Sequence, residues 1–192
     1  MKKLIVALLL ISSVGAFAQD AKAVQLRLDE IAAKARRADL LNQILPVLMT
    51  KPQMKALLPV MEKCRQKVRE TEAAELKALK GLELKVDKAI SDGLTRNQVP
   101  PRNTMKEIAS TYRVLGMIRA AVIGENTESI YAVLDRELND GQKKAAFNAL
   151  NPSAFDPKLD KASMSNEKKL KFWIKIILLD NEAYDLIFKL SR

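Results

Sequence analysis

TKPQMKALLPVMEKCRQKVRETEAAELKALKGLELKVDKAIS, residues 50–91, decides the fold. Thr50 offers a side-chain oxygen to the open amides of a first helical turn. Pro52 stands where no amide hydrogen is missed, and Gln53 is spaced to reach back to the cap amide, so the pattern is a capping box. Behind it Met54, Leu57, Met61, Cys64 and Val68 advance by alternating threes and fours, the spacing of a helix packed along a partner helix. Pro59 interrupts the hydrogen-bond ladder, but the apolar pattern continues through it, which predicts a bend and not a stop. After a polar stretch at 69–75, Leu76, Leu79, Leu82, Val86 and Ile90 carry the stripe on. At about 1.5 Å per residue a helix over 52–91 is roughly 60 Å long, which suits an elongated hairpin.

Working outward, residues 21–49 place Val24, Leu28, Ile31, Leu41, Ile44 and Leu48 at helical spacing, with Arg27, Lys34 and Arg36 between them. This predicts an amphipathic helix that ends or kinks near Pro46. Asp92-Gly93 and Pro100-Pro101 bracket a loop. Asn103-Thr104 with Glu107 then predicts a helix start, Gly124 its end, and Thr127 the start of another helix. Asn139, followed three positions later by Gln142, repeats the cap spacing of Thr50 and Gln53. Residues 153–164 read as a surface loop, and Ser165 as the cap of a last stretch in which Phe172, Trp173, Ile174, Ile177, Leu186, Ile187 and Leu190 form the most apolar part of the chain beyond its N-terminus. Lys175, Asp180, Glu182 and Asp185 exclude a bilayer span there, leaving core or interaction surface. The expected fold is all-α, an elongated helical hairpin over 19–95 that contains one long kinked helix, and a helical C-terminal part over 103–192.

At the N-terminus, Lys2 and Lys3 precede an apolar run over 4–11 and the small residues of Ala16-Phe17-Ala18. Residues 1–18 therefore read as a cleavable signal peptide, with 19–192 as a single exported domain. The apolar run is shorter than the roughly 20 residues that span a bilayer. Cys64 is the only cysteine, so no disulfide forms within the chain; a small core residue is the plainer reading, a disulfide between two copies the other.

The chain has no histidine, which excludes Ser-His-Asp and Cys-His catalysis and His-ligated zinc. Six glycines, seven prolines and 5% aromatic residues also fit poorly with a strand-rich sandwich or barrel. Carboxylate pairs such as Glu72 with Glu75 or Asp156 with Asp160 read as solvated helix faces. The sequence thus offers no catalytic, cofactor-binding or metal-binding residue.

The two capped segments, Met49-Thr50-Lys51-Pro52-Gln53 and Leu138-Asn139-Asp140-Gly141-Gln142, resemble the LTxxQ signature of the Spy/CpxP-like periplasmic proteins, with Met49 in place of Leu and Asn139 in place of Thr. A literal copy at Leu94-Thr95-Arg96-Asn97-Gln98 is followed by Val99-Pro100-Pro101, which a helix cannot extend through. The chain beyond Asn151 has no counterpart in that pattern. The resemblance implies an exported, periplasmic, ATP-independent chaperone or envelope-stress protein without enzymatic activity, forming a homodimer of helical hairpins.

With a formal net charge of +10, the long helix carries Lys63, Arg65, Lys67, Arg69, Lys77, Lys80, Lys85 and Lys88. A cationic face beside apolar stripes would attract acidic, partly unfolded chains. Lys63, Arg65, Lys67 and Arg69 with the adaptable Met54 and Met61 are the expected client-binding residues. The alternative is a non-enzymatic scaffold of the cell envelope docking one fixed partner through residues 172–190. Few aromatic residues are available for base stacking, so nucleic acid is a poor partner.

Overall fold

A computed structural model describes the backbone of residues 2–150, 152–155, 157 and 160–192. It describes the side chains from residue 23 onward, except at 151, 154, 156, 158, 159 and 161. The signal-peptide reading on 1–18 and the carboxylate of Asp156 lie outside the described side chains. Six α-helices account for most of the chain: α1 Lys2–Ile44, α2 Lys51–Arg96, α3 Arg102–Glu137, α4 Asp140–Ala149, α5 Asn166–Trp173 and α6 Ala183–Leu190. Short 3₁₀ turns sit at Leu45–Val47, Pro152–Ala154 and Lys161–Ser163, and a π-helical turn at Ile174–Leu178. Among the described residues there is no strand.

The chain divides into two compact units, Met1–Asn42 and Gln43–Arg192. In the first, Val24, Leu26, Leu28 and Ile31 are exposed. Its described surface is laced by helical ion pairs, with Glu30 bonded to both Arg27 and Lys34 at 2.6 Å.

In the second unit α2 runs for 46 residues, about 69 Å at helical rise, and continues through Pro59. Its partner is α3, antiparallel to it across the 97–101 connection. The second arm of the hairpin is therefore α3, not the 19–49 segment expected from the sequence. Period alone names the face that packs, not the helix it packs on, and the short connection after Arg96 returns the chain directly along α2.

The seam on α2 runs through Met54, Leu57, Met61, Cys64, Glu75, Leu82 and Ala89, facing Leu115, Val122, Ile130, Val133 and Leu134 on α3. Steps of three and four hold from 54 to 71. Two successive fours, 71–75–79, then rotate the seam away from Leu76 and Ile90, which are exposed.

α3 is a single helix through Gly124. That glycine does not have the positive φ of a helix-ending residue, and the next turn is anchored on α2. Asn126 donates its side-chain amide to the Cys64 carbonyl at 3.3 Å, while the Cys64 thiol points at the Asn126 carbonyl at 3.8 Å. Nor do Asn103 and Thr104 cap α3, which starts one residue after Pro101. Pro101 already has the fixed φ that precedes a helix, and the Glu107 carboxylate is occupied by Lys85 at 2.7 Å.

The C-terminal part covers one end of the hairpin. α6 packs on α2, the π-helical turn on α3, and α4 on α5 and on the 45–47 turn. Trp173, Ile174, Ile177, Leu178 and Ile187 are buried almost completely, so the apolar stretch at 172–190 is core. Asp180 interrupts it, accepting from the Glu182 amide at 2.9 Å.

Candidate interaction surface

The two capped segments meet. At the start of α2 the Thr50 side chain accepts from the Gln53 amide and the Gln53 side chain accepts from the Thr50 amide at 2.8 Å. At the start of α4 Asn139 and Gln142 do the same, at 2.9 and 3.1 Å. The two glutamine side chains then pair reciprocally, Gln53 Nε2 donating to Gln142 Oε1 at 3.1 Å and Gln142 Nε2 to Gln53 Oε1 at 3.0 Å. Their remaining amide hydrogens go to the Glu137 and Leu48 carbonyls. Each amide uses both donors and both acceptor positions, so this half-buried network leaves nothing unsatisfied. It also fixes Leu48, which sits at φ 54°, a left-handed conformation uncommon for a branched residue. The third copy of the pattern does none of this. Asn97 is the left-handed cap that ends α2, and Thr95 bonds back to the Ser91 carbonyl.

Of the residues expected to hold a client, two are buried and three are engaged in surface ion pairs. Met54 and Met61 are buried in the seam. Arg65 lies 4.4 Å over the Tyr184 ring and within 3.7 Å of Asp185, Lys67 pairs with Glu125, and Arg69 bonds Glu62 at 2.7 Å. The Arg69 hydrogen bond holds the Glu62 carboxyl below its ordinary pKa. Lys63 alone of the six is exposed with no acidic partner among the described residues. The cationic face is therefore partly paired, Arg65 with an acid of α6, Lys67 and Lys85 with acids of α3, and Arg69 and Lys88 with acids of α2 itself, which counting basic residues along one helix does not reveal. Cys64 is buried and its thiol is pushed up by desolvation. A disulfide between copies would require opening the seam. Among the described residues no group of three or more His, Cys, Asp or Glu is placed to hold a metal ion.

Exposed apolar surface gathers instead at the other end of the hairpin, beyond the reach of α4–α6. One groove of about 390 Å³ is lined by Leu76, Leu79, Leu82, Val86, Ile108 and Tyr112. A second, of about 600 Å³, is lined by Ala74, Ala78, Val114, Leu115 and Ile118. Lys80, Glu83 and Asp87 rim the first, and Lys67 and Glu70 the second, so each apolar strip has a mixed-charge edge. Leu84, Ile90 and Met117 add further exposed side chains.

Glu75, at the wall of the second groove, is buried, its carboxylate gripped by Arg119 through Nε at 2.6 Å. That bond holds the carboxyl below its ordinary pKa. Glu75 is thus not the solvated acid that its neighbours suggested. The sequence signal for this surface was the apolar residues left off the three-and-four seam, such as Leu76 and Ile90 on α2 and Val114 and Ile118 on α3.

No family model, curated protein or solved structure matches the chain.

Proposed function

We propose that this is an exported, non-enzymatic protein that holds non-native polypeptides without nucleotide, through the two apolar grooves on the uncovered end of the α2–α3 hairpin. One observation carries the reading: Leu76, Tyr112, Val114 and Ile118 are exposed on helices that are otherwise well paired. Apolar strips with charged rims can bind exposed hydrophobic segments of many sequences, with modest energy per contact and ready release. The meeting of the two capped segments supports the likeness to the LTxxQ proteins, and the residues 1–18 pattern supports export to the periplasm. A second copy of the chain, in the homodimer that likeness implies, would use the same uncovered end.

The binding residues in this reading are those of the grooves, in place of Met54, Met61 and the paired cations. A scaffold docking through residues 172–190 has less to support it, because that segment's large side chains are core. The test is light scattering of a denatured client with increasing protein and no nucleotide. Suppression by the natural protein, lost in Leu76→Ser/Ile118→Ser at unchanged helicity, is the expected result. Full suppression by that variant, or none by the natural protein against several clients, overturns the reading.

A further inference from the structure

We infer that the tip of the hairpin, residues 88–106, docks on an anionic lipid surface. Two of the most exposed large apolar side chains among the described residues are here, Leu94 at 81% and Val99 at 88%, with Ile90 and Met105 half exposed behind them. Arg96, Arg102 and Lys106 surround them, and residues 93–106 contain no acid. The nearest acids are occupied: Asp92 is shared by Lys88 at 2.6 Å and Arg96 at 3.5 Å, and Glu107 is bonded by Lys85. Asp87 lies farther back along α2. Among the described residues neither Arg102 nor Lys106 pairs with an acid.

The shape selects the partner. The tip is the narrow end of two helices joined by five residues, 97–101, so it is a knob and not a groove. A soluble protein would need a matching socket, whereas a bilayer interface accepts any small apolar projection. Leu94 and Val99 can sit below the headgroups while the long Arg and Lys side chains reach the phosphates. Pro100 and Pro101 restrict the connection, so little entropy is lost on docking. The tip carries no aromatic residue to stack on a nucleobase, which disfavours nucleic acid for the same charge.

Basic side chains near an anionic surface contribute about fivefold each to binding, so removing three should cost on the order of a hundredfold. Replacing either apolar residue by serine should cost about tenfold. The experiment is flotation of the protein as recovered from cells, its N-terminus read by mass spectrometry, with vesicles of phosphatidylcholine alone or containing one third phosphatidylglycerol. Binding to the anionic vesicles only, weakened by salt, by Leu94→Ser/Val99→Ser and by Arg96→Gln/Arg102→Gln/Lys106→Gln, is expected. A control, Lys55→Gln/Lys144→Gln/Lys168→Gln, removes as much charge from exposed positions off the tip and should leave binding unchanged.

No binding to anionic vesicles overturns the inference, as does binding that the tip variants leave intact. Equal loss in the control overturns it too, since net charge alone would then be responsible. These substitutions lie outside the two grooves, so the tip variants keep their suppression of client aggregation, and either reading can fail without the other.

Discussion

Leu57 and Leu84 lie on the same helix, yet one is fully buried and the other 84% exposed. At Leu57's end of the hairpin further elements join it: α6 packs on α2, the π-helical turn and α5 on α3, and α4 on α5. At Leu84's end, among the described residues of this unit, the two helices of the hairpin pack on each other without α4, α5 or α6. The seam itself is similar in both halves, with Met61 and Leu134 in one and Leu82 and Leu115 in the other. The covered half converts its off-seam apolar residues into stability. The uncovered half leaves the same kinds of residue in contact with water, which is the surface the proposed binding would use.

The comparison breaks most severely if the cover is not what stabilises its half. Trp173, the last residue of α5 before the π-helical turn, is wholly buried, and Trp173→Ala should lower unfolding free energy by about 3–5 kcal/mol, read from urea denaturation. Its indole N–H has no hydrogen-bond partner among the described residues. Trp173→Phe therefore relieves an unsatisfied donor while giving up some contact area, and should cost less than about 1.5 kcal/mol. A loss as large as that for alanine would show that the indole N–H is satisfied after all.

Next in size is the glutamine junction that ties α4 to the start of α2. Gln53→Ala or Gln142→Ala removes a cap and strands the partner amide, at a cost of about 2 kcal/mol each. The double variant should cost less than the sum of the two by about 1 kcal/mol, because the reciprocal pair is lost only once. Strict additivity in a double-mutant cycle would mean that the two caps act independently.

Much of this architecture was legible in the residues. Alternating threes and fours from Met54 to Val68 marked the seam, and a cap residue followed three positions later by Gln marked both helix starts. The partner of α2 was not legible, because residues 24–48 and 108–122 offer apolar stripes of the same period. Gly124 looked like a stop but lies inside a helix held by Asn126 on one side of the hairpin and Cys64 on the other. The pairing of the cationic face was not legible for a related reason. A run of basic residues is visible in one segment, whereas Glu125 and Asp185, which neutralise part of it, come from elements far away in sequence. Leu76 and Leu82 look alike in the stripe, and only the two successive steps of four around Glu75 put one outside and the other in.

Glu75 tests where the covered half stops supporting the seam. Arg119 holds its carboxyl below the ordinary value of 4.5, so as pH falls the unfolded chain takes up this proton first. The contribution of the pair is complete above about pH 4.5 and is lost as pH drops through the lowered native value. Arg119 is largely exposed, so the effect is small. Glu75→Leu should leave stability at neutral pH unchanged or slightly raised while flattening the acid dependence. An unchanged acid profile would assign that dependence to other acids, such as Glu62 or Asp92.

The smallest expected change in stability is in the uncovered half, and it separates the two halves most directly. Leu84→Ser and Ile118→Ser alter exposed side chains, and each should shift unfolding free energy by no more than about 0.5 kcal/mol. If the apolar surface there serves binding, Ile118→Ser nonetheless weakens aggregation suppression, because the side chain lines a groove. Leu84→Ser, outside both sets of groove-lining residues, should weaken it less. The ranking matters more than either value: equal loss from both would mean that any apolar side chain on this end suffices, and the grooves would have no role of their own.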